Sequence, residues 1–315
     1  MRLTGFNNIS RSFGHGKMDD FLLRVDSLKK YFPIRGGVMR RQVAQVHAVD
    51  GVSLAVRSGQ TLGLVGESGC GKTTVGRCIV HLHTPTAGKV WFDGQDMATL
   101  DRHQLKRARR NLQMIFQDPF ESLNSRHTVG AILEEPFVIN RQGTAAQRKR
   151  RVAELLAQVG LQPGAEGRFP HEFSGGQRQR IGIARASALN PKLVICDEPV
   201  SALDVSIQSQ VLNLLLELQR RMHLTYLFIA HDLSVVKHIS DYIAVMYLGQ
   251  IVEYADADTT YKQPAHPYTH ALVSAIPIPD PTVRKEKVIL KGDVPSPVHP
   301  PSGCRFHTRC PYVRD

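Results

Sequence analysis

Eight consecutive residues of this chain have the types and spacing to hold a phosphate chain. Gly66-Glu67-Ser68-Gly69-Cys70-Gly71-Lys72-Thr73 follows the pattern Gly-x4-Gly-Lys-Ser/Thr. Glycines let backbone N–H groups turn inward around phosphate oxygens without a Cβ in the way. The helical run that follows, through Thr74, offers its positive N-terminal end to an anion. Lys72 can reach the β- and γ-phosphates of a nucleoside triphosphate, and the Thr73 hydroxyl can ligate Mg²⁺. The apolar run Thr61–Val65 precedes the loop, which is the strand–loop–helix context the motif needs. Alone, the loop leaves kinase, GTPase and transport ATPase open.

A second constellation lies further along. The apolar run Leu193–Cys196 ends in Asp197-Glu198. An acid at the C-terminal end of a central strand stands where the Mg²⁺ of a bound nucleotide would be. Asp197 suits the metal, and Glu198 suits a base that orients and deprotonates an attacking water. The plainer reading of such a pair is a helix N-cap, for which Ser201 is available instead. His231 follows the apolar run Tyr226–Ala230 and can hydrogen-bond a γ-phosphate.

A third feature is Phe173-Ser174-Gly175-Gly176-Gln177-Arg178-Gln179-Arg180, which opens an Ala/Ile-rich helix. Ser174 is a good N-cap, and paired glycines let backbone approach an anion. This is a second phosphate-binding helix end. It follows no sheet strand, so it is suited to a nucleotide held by another chain.

The elements that must position these residues read as α/β. Short, fully apolar runs separated by helical stretches imply a buried parallel sheet. Before it, Phe21–Val25, Val46–Val49 and Val52–Val56 read as short strands of a small antiparallel sheet, with Pro33–Arg41 as an exposed basic loop. The stretch from about 118 to 188 lacks apolar strands and reads as an inserted helical subdomain. Ile243–Tyr254 reads as a hairpin around Gly249. Residues 1–20 read as a loose polar tail, and after about Tyr261 the chain turns rich in Pro and His.

Composition bounds the rest. With 315 residues and 42% hydrophobic content, the chain can bury a sizeable core. A formal charge of +12 suits nucleic acid, an anionic membrane or a phosphate ligand alike. The run Arg148-Lys149-Arg150-Arg151 reads as a solvated helix face or as a contact for lipid or a partner. No apolar run reaches the roughly 18–20 residues of a membrane span, and no signal-peptide core opens the chain. A soluble, intracellular chain is expected unless a partner holds it at a membrane. Five scattered cysteines do not make a disulfide scaffold. Cys70, beside a helix N-terminus, is expected to have a lowered thiol pKa and to alkylate.

Together these motifs resemble the ATP-binding cassette (ABC) ATPases over roughly residues 21–260. The resemblance implies a P-loop NTPase fold of the ABC type, with an antiparallel β subdomain, an inserted helical subdomain and a C-terminal extension. It implies ATP and Mg²⁺ as ligands, with Mg²⁺ held through Thr73, Gln117 and Asp197. It implies that Glu198, His231 and Gln117 serve hydrolysis. It puts the signature Ser174-Gly175-Gly176-Gln177 on ATP bound by a facing subunit, and the D-loop at Ser201–Asp204 across that interface. The adenine-stacking aromatic falls on Phe32 or Tyr31, for which strand-end packing is the bland alternative.

Gln117–Asn124 and the tail narrow the resemblance. His266-Pro267-Tyr268-Thr269-His270-Ala271-Leu272, Gly292–Pro297 and Pro300–Cys304 resemble the C-terminal extension, about residues 261–315, of the oligopeptide and dipeptide importer ATPases, nearest their F type. Ser125 stands where that family usually has Pro. The resemblance implies a paralogous D-type ATPase partner, two membrane permeases and an extracytoplasmic substrate-binding protein, at the cytoplasmic face of a bacterial inner membrane. Nucleic acid is not an expected partner. Dipeptides or oligopeptides are the implied cargo, with nickel or glutathione as alternatives, and a non-transport ABC ATPase is the competing class. Related tails hold a 4Fe-4S cluster on four cysteines. Here Cys304 and Cys310 supply two, so cluster binding would need a longer native chain.

Overall fold

The computed structural model describes residues 20–36, 41–118, 122–277 and 288–313. The tail expected before Asp20, residues 37–40 of the expected basic loop, and Pro119-Phe120-Glu121 lie outside them. In chain order the elements are β1 (Phe21–Gly36), β2 (Arg41–Arg57), β3 (Thr61–Val65), α1 (Lys72–Ile79), β4 (Ala87–Phe92), β5 (Gln95–Asp96), α2 (Arg102–Asn111), β6 (Leu112–Ile115), α3 (Val129–Ile139), α4 (Ala145–Gln158), α5 (Gly175–Ser187), β7 (Leu193–Asp197), α6 (Val205–Met222), β8 (Thr225–Ala230), α7 (Leu233–Ile239), β9 (Tyr242–Tyr247), β10 (Gln250–Asp256), α8 (Ala257–Lys262) and α9 (Pro267–Ala275). The chain divides into two compact units. One is built from the chain up to Asp101 and from Phe228 onward, the other from Arg102–Leu227.

The first unit carries an antiparallel sheet of order β2-β1-β4-β5. The short strands expected at Val46–Val49 and Val52–Val56 are one strand. The basic stretch from Pro33 to Gly36 is strand as well, paired across to Gln45–Arg41. Charged residues broke the apolar alternation there, but a backbone ladder does not need apolar side chains. The irregularity is absorbed as register shifts around Val25, Leu28 and Tyr31. Pro33 is tolerated because β1 pairs with β4 only as far as Lys29↔Ala87, so beyond that point its second edge is outside the β4 ladder.

Strand β3 is wholly buried and pairs in parallel with β9, as its unbroken apolar run implies. The hairpin expected around Gly249 is β9–β10, antiparallel from Tyr247↔Gln250. Its two turn residues, Leu248 and Gly249, have φ of 42° and 84°, as a tight hairpin turn of matching twist demands.

The tail packs on this unit. Pro267 occupies the first turn of α9, where its missing N–H costs nothing, and His266 Nδ1 accepts the N–H of Tyr268. The Glu253 carboxylate, on β10, accepts the N–H groups of Ala265 and His266 at 2.9 Å each. Tyr247, Tyr268 and Phe306 are buried against one another, with ring centroids 4.8–5.6 Å apart. Each such ring contributes roughly 2–3 kcal/mol by leaving water.

In the second unit β6 and β7 pair in parallel, Leu112↔Leu193 to Ile115↔Cys196. Helices α3, α4 and α5 follow β6 in the chain, and among the described residues no strand interrupts them. Helix α4 is started by a reciprocal cap between Thr144 and Gln147. Helix α6 buries Val211, Leu212, Leu214, Leu215 and Leu218, a stripe at helical spacing.

Candidate active site

The phosphate loop lies in the first unit. The Lys72 side chain is only 4% exposed. Its ammonium donates to the Gly66 carbonyl at 2.7 Å and the Glu67 carbonyl at 3.0 Å, with Cys70 Sγ at 3.9 Å. A buried cation held by dipoles alone is electrostatically incomplete, and an anion entering beside it completes it. Helix α1 opens at Lys72 with Gly71 as N-cap, at φ 109° and with no side-chain cap. That leaves the helix end's donors to a ligand. Two glycines have no alternative here. A Cβ on Gly66 would stand 2.1 Å from the Met246 carbonyl oxygen, and one on Gly71 would stand 2.0 Å from that of Ala48. Thr73 and Thr74, in the first turn, are half-buried.

The Cys70 expectation fails. The thiol is buried, and burial raises its pKa against the lowering influence of Lys72. Desolvation outweighs the helix end.

Sequence reasoning missed what holds Glu67. Its N–H donates to the Tyr268 hydroxyl at 2.8 Å, and its carboxylate takes Arg309 at 2.9 and 3.3 Å. The partners are 201 and 242 residues away, beyond the reach of any spacing rule.

The second unit carries the acidic pair. Asp197 is buried at the end of β7. Glu198 has φ 47°, a left-handed backbone that non-glycine residues enter at a cost of order 1–3 kcal/mol. Its carboxylate accepts the Gln117 amide N–H at 3.1 Å, so two residues 81 apart in sequence meet. Ser201 does not cap a helix. Its hydroxyl and N–H both donate to the Glu198 carbonyl, at 3.1 and 3.3 Å, while Asp204 is the N-cap of α6. The reason is local: the strained turn at Glu198 leaves a carbonyl that Ser201 satisfies.

Helix α5 opens as its residues imply. Ser174 accepts the Gln177 N–H at 3.4 Å, and Gln177 returns a bond from the Ser174 N–H at 3.0 Å. Gly176 lets α6 close in, since a Cβ there would be 2.5 Å from Ile207. Gly175 faces Leu203. The signature and the segment Ser201–Asp204 are thus packed as one piece within this unit.

His231 is exposed just beyond β8, in the first unit, and Asp232 caps α7 through the Ser234 N–H. Tyr31 is occupied: its hydroxyl donates to Asp50, and its ring lies 4.3 Å from that of His47. Burial, then Asp50, push this hydroxyl up to about 12. Phe32 is half-buried, edge-on to His83, with the Lys30 ammonium 5.0 Å from its ring centre. Cys304 is exposed and Cys310 half-buried. Among the described residues no group of three or more His, Cys, Asp or Glu is placed to hold a metal. Two thiols do not make the four-thiolate set of an iron–sulfur cluster, and no step here uses one.

Known proteins share this arrangement. The family described as "ABC transporter" matches residues 49–201, and "Oligopeptide/dipeptide transporter, C-terminal region" matches 252–315. The chain is 56% identical to the "Oligopeptide transport ATP-binding protein AppF" of Bacillus subtilis over 93% of its own length and 90% of that protein's. It is 51% identical to the "Probable peptide ABC transporter ATP-binding protein y4tS" of Sinorhizobium fredii, over 95% of this chain and 84% of that one. Among solved structures, a dimeric post-hydrolysis state of the ATP-binding cassette MJ0796 bound to ADP and Pi superposes with a TM-score of 0.66 at 26% identity, covering 75% of this chain and 98% of that chain. The fold therefore belongs to the ABC ATPases. Within them, the chain belongs to the family of peptide-type ABC transporter ATP-binding proteins that carry the oligopeptide/dipeptide C-terminal region.

Proposed function

We propose that this chain is the ATP-hydrolysing subunit that energises import of oligopeptides or dipeptides. The observation that carries the hydrolytic part is the Gln117–Glu198 hydrogen bond at the end of β7. It aims a carboxylate that the backbone already holds in a left-handed turn. The C-terminal region and the relatives' names support peptide cargo over nickel or glutathione.

Lys72, buried and held by the Gly66 and Glu67 carbonyls, binds the β- and γ-phosphates while the loop's N–H groups surround them. The oxygen donors of Thr73, Asp197 and Gln117 suit a hard cation and would hold Mg²⁺, which would supply charge neutralisation to the phosphates. Glu198 takes a proton from water as the water oxygen attacks the γ-phosphorus. The bond to the bridging oxygen breaks, and ADP leaves with its electron pair. His231 holds a γ-phosphate oxygen, and Phe32 stacks the adenine.

Ser174–Gln177 serve ATP held by a facing ATPase, a D-type paralogue, with Asp204 at that interface. Two permeases and an extracytoplasmic binding protein complete the importer, placing this subunit peripherally on the cytoplasmic face of the inner membrane. No helix among the described residues is long and apolar enough to cross a membrane.

Replacing Glu198 by Gln keeps the shape and removes the base. Steady-state hydrolysis should fall roughly 100-fold or more while ATP remains bound. Hydrolysis at the wild-type rate would overturn the assignment.

A further inference from the structure

The glycine loop is not held by its own strand and helix alone. Glu67 is gripped at both ends by the C-terminal region. Its N–H meets the Tyr268 hydroxyl, on a fully buried ring of α9. Its carboxylate meets Arg309, whose side chain is 8% exposed against 29% for Glu67. That is a shielded ion pair, unlike an exposed one, which contributes little. A second brace runs beside it. Buried Arg305 donates to the Leu248 carbonyl and to Asp50. Gly249, next to Leu248, donates to the Cys70 carbonyl at 2.9 Å. Asp50 in turn accepts the Tyr31 hydroxyl. Phe306, between the two arginines in sequence, is buried among Tyr247, Tyr268 and His266. The tail thus touches the loop directly at Glu67, and Arg305 reaches Cys70 and Tyr31 only through the Leu248–Gly249 turn and Asp50.

We infer that Tyr268 and Arg309 are positioning residues for the phosphate loop, so that the C-terminal region sets how tightly this subunit holds nucleotide. This rests on the reading that Gly66–Thr73 binds ATP. The Glu67 N–H points at Tyr268 instead of into the cradle, and Arg309 fixes the side chain of the same residue. With both anchors in place, the carbonyls of Gly66 and Glu67 stay where they hold the Lys72 ammonium. Burial pushes the Tyr268 hydroxyl up, so it stays a neutral acceptor at any physiological pH.

The test uses the full chain and MgADP, whose binding needs neither hydrolysis nor a second subunit. Tyr268→Phe removes one oxygen, and Arg309→Gln removes the charge. By calorimetry each should weaken MgADP by about five- to tenfold, the affinity equivalent of one hydrogen bond. Arg309→Lys should stay within about threefold of wild type, and Glu67→Gln should add nothing further to Arg309→Gln, because the two act as one pair. In the assembled transporter, KM for ATP should rise with kcat nearly unchanged, since Glu198 is untouched. The thermal midpoint without nucleotide should fall by only a few °C, leaving the chains folded at the temperature of the binding measurement. Wild-type affinity in both variants, with binding abolished by Lys72→Ala, overturns the inference and leaves the ATP site standing. Affinity lost only in proportion to unfolded protein also overturns it. Undiminished binding by Lys72→Ala takes down the ATP-site reading, and the inference with it.

Discussion

Replacing Gly71 by Ala should disable the nucleotide site more than any other single methyl group in the loop. The new Cβ would lie 2.0 Å from the Ala48 carbonyl oxygen. Carbon and oxygen do not approach much within about 3 Å, so one of them must move by about 1 Å. Ala48 sits in β2, laddered to β1 on either side through Tyr31↔His47 and Lys30↔Val49. The loop is the softer party and yields. Alanine must also adopt φ 109°, a region that costs of order 1–3 kcal/mol. Overpacking adds a similar amount, for a total of roughly 2–6 kcal/mol. A displacement of about 1 Å at a group that positions substrate costs roughly 100-fold in activity. Gly69→Ala is the control. Its φ is 77°, but nothing lies within 4 Å of the new Cβ, so only the backbone term of about 1 kcal/mol remains. Urea unfolding of the nucleotide-free chains and MgADP calorimetry separate the two. If Gly71→Ala is as stable as Gly69→Ala and binds MgADP equally well, the close approach of Ala48 is not a constraint and the reasoning fails.

Further outcomes follow from other parts of the molecule. Glu198→Gly should abolish hydrolysis yet leave stability unchanged or raised by up to about 1 kcal/mol, because glycine relieves the left-handed strain while gaining freedom when unfolded; a clear loss in urea unfolding would refute the strain. With iodoacetamide at pH 8 and peptide mapping, exposed Cys304 should label first and Cys310 next. Buried Cys70, Cys78 and Cys196, all raised by burial, with Cys78 pushed up to about 11, should lag, and fast labelling of Cys70 would contradict this. Burial alone would raise the Asp50 carboxyl, but the Tyr31 hydroxyl and Arg305 outweigh it and hold its pKa below 3.8. A depressed folded-state pKa stabilises at neutral pH and the contribution is lost as pH falls. The stability advantage of wild type over Asp50→Asn should therefore be full at pH 6 and shrink as pH drops through 3.8 and below. An advantage constant down to pH 3 would show that Asp50 is not so coupled.

Much of the candidate site was legible because it is local. The glycine loop, the capped helix at Ser174 and the acids after Leu193–Cys196 each carry their physical reason within a few residues. Gln117 was named only through resemblance, and its hydrogen bond to Glu198 follows from the parallel pairing of β6 with β7. The long β1–β2 hairpin was read as fragments because its ladder continues through charged residues that apolar alternation cannot register. Cys70 was misjudged because a helix end is visible in sequence and burial is not. The grip of Tyr268 and Arg309 on Glu67 left no local signal at all. The tail motif His266–Leu272 was seen as a label of kinship, whereas its tyrosine is a structural part of the loop.

That grip has a consequence in time. A ribosome adds roughly 5–20 residues per second. Glu67 leaves it 201 residues before Tyr268 and 242 before Arg309, so the loop waits roughly 10–50 s for its two anchors. Throughout that interval a nascent chain carries the whole glycine motif without the residues that hold it still. A later-made segment finishes an earlier-made site, and a chain interrupted before Arg309 leaves Glu67 half-anchored.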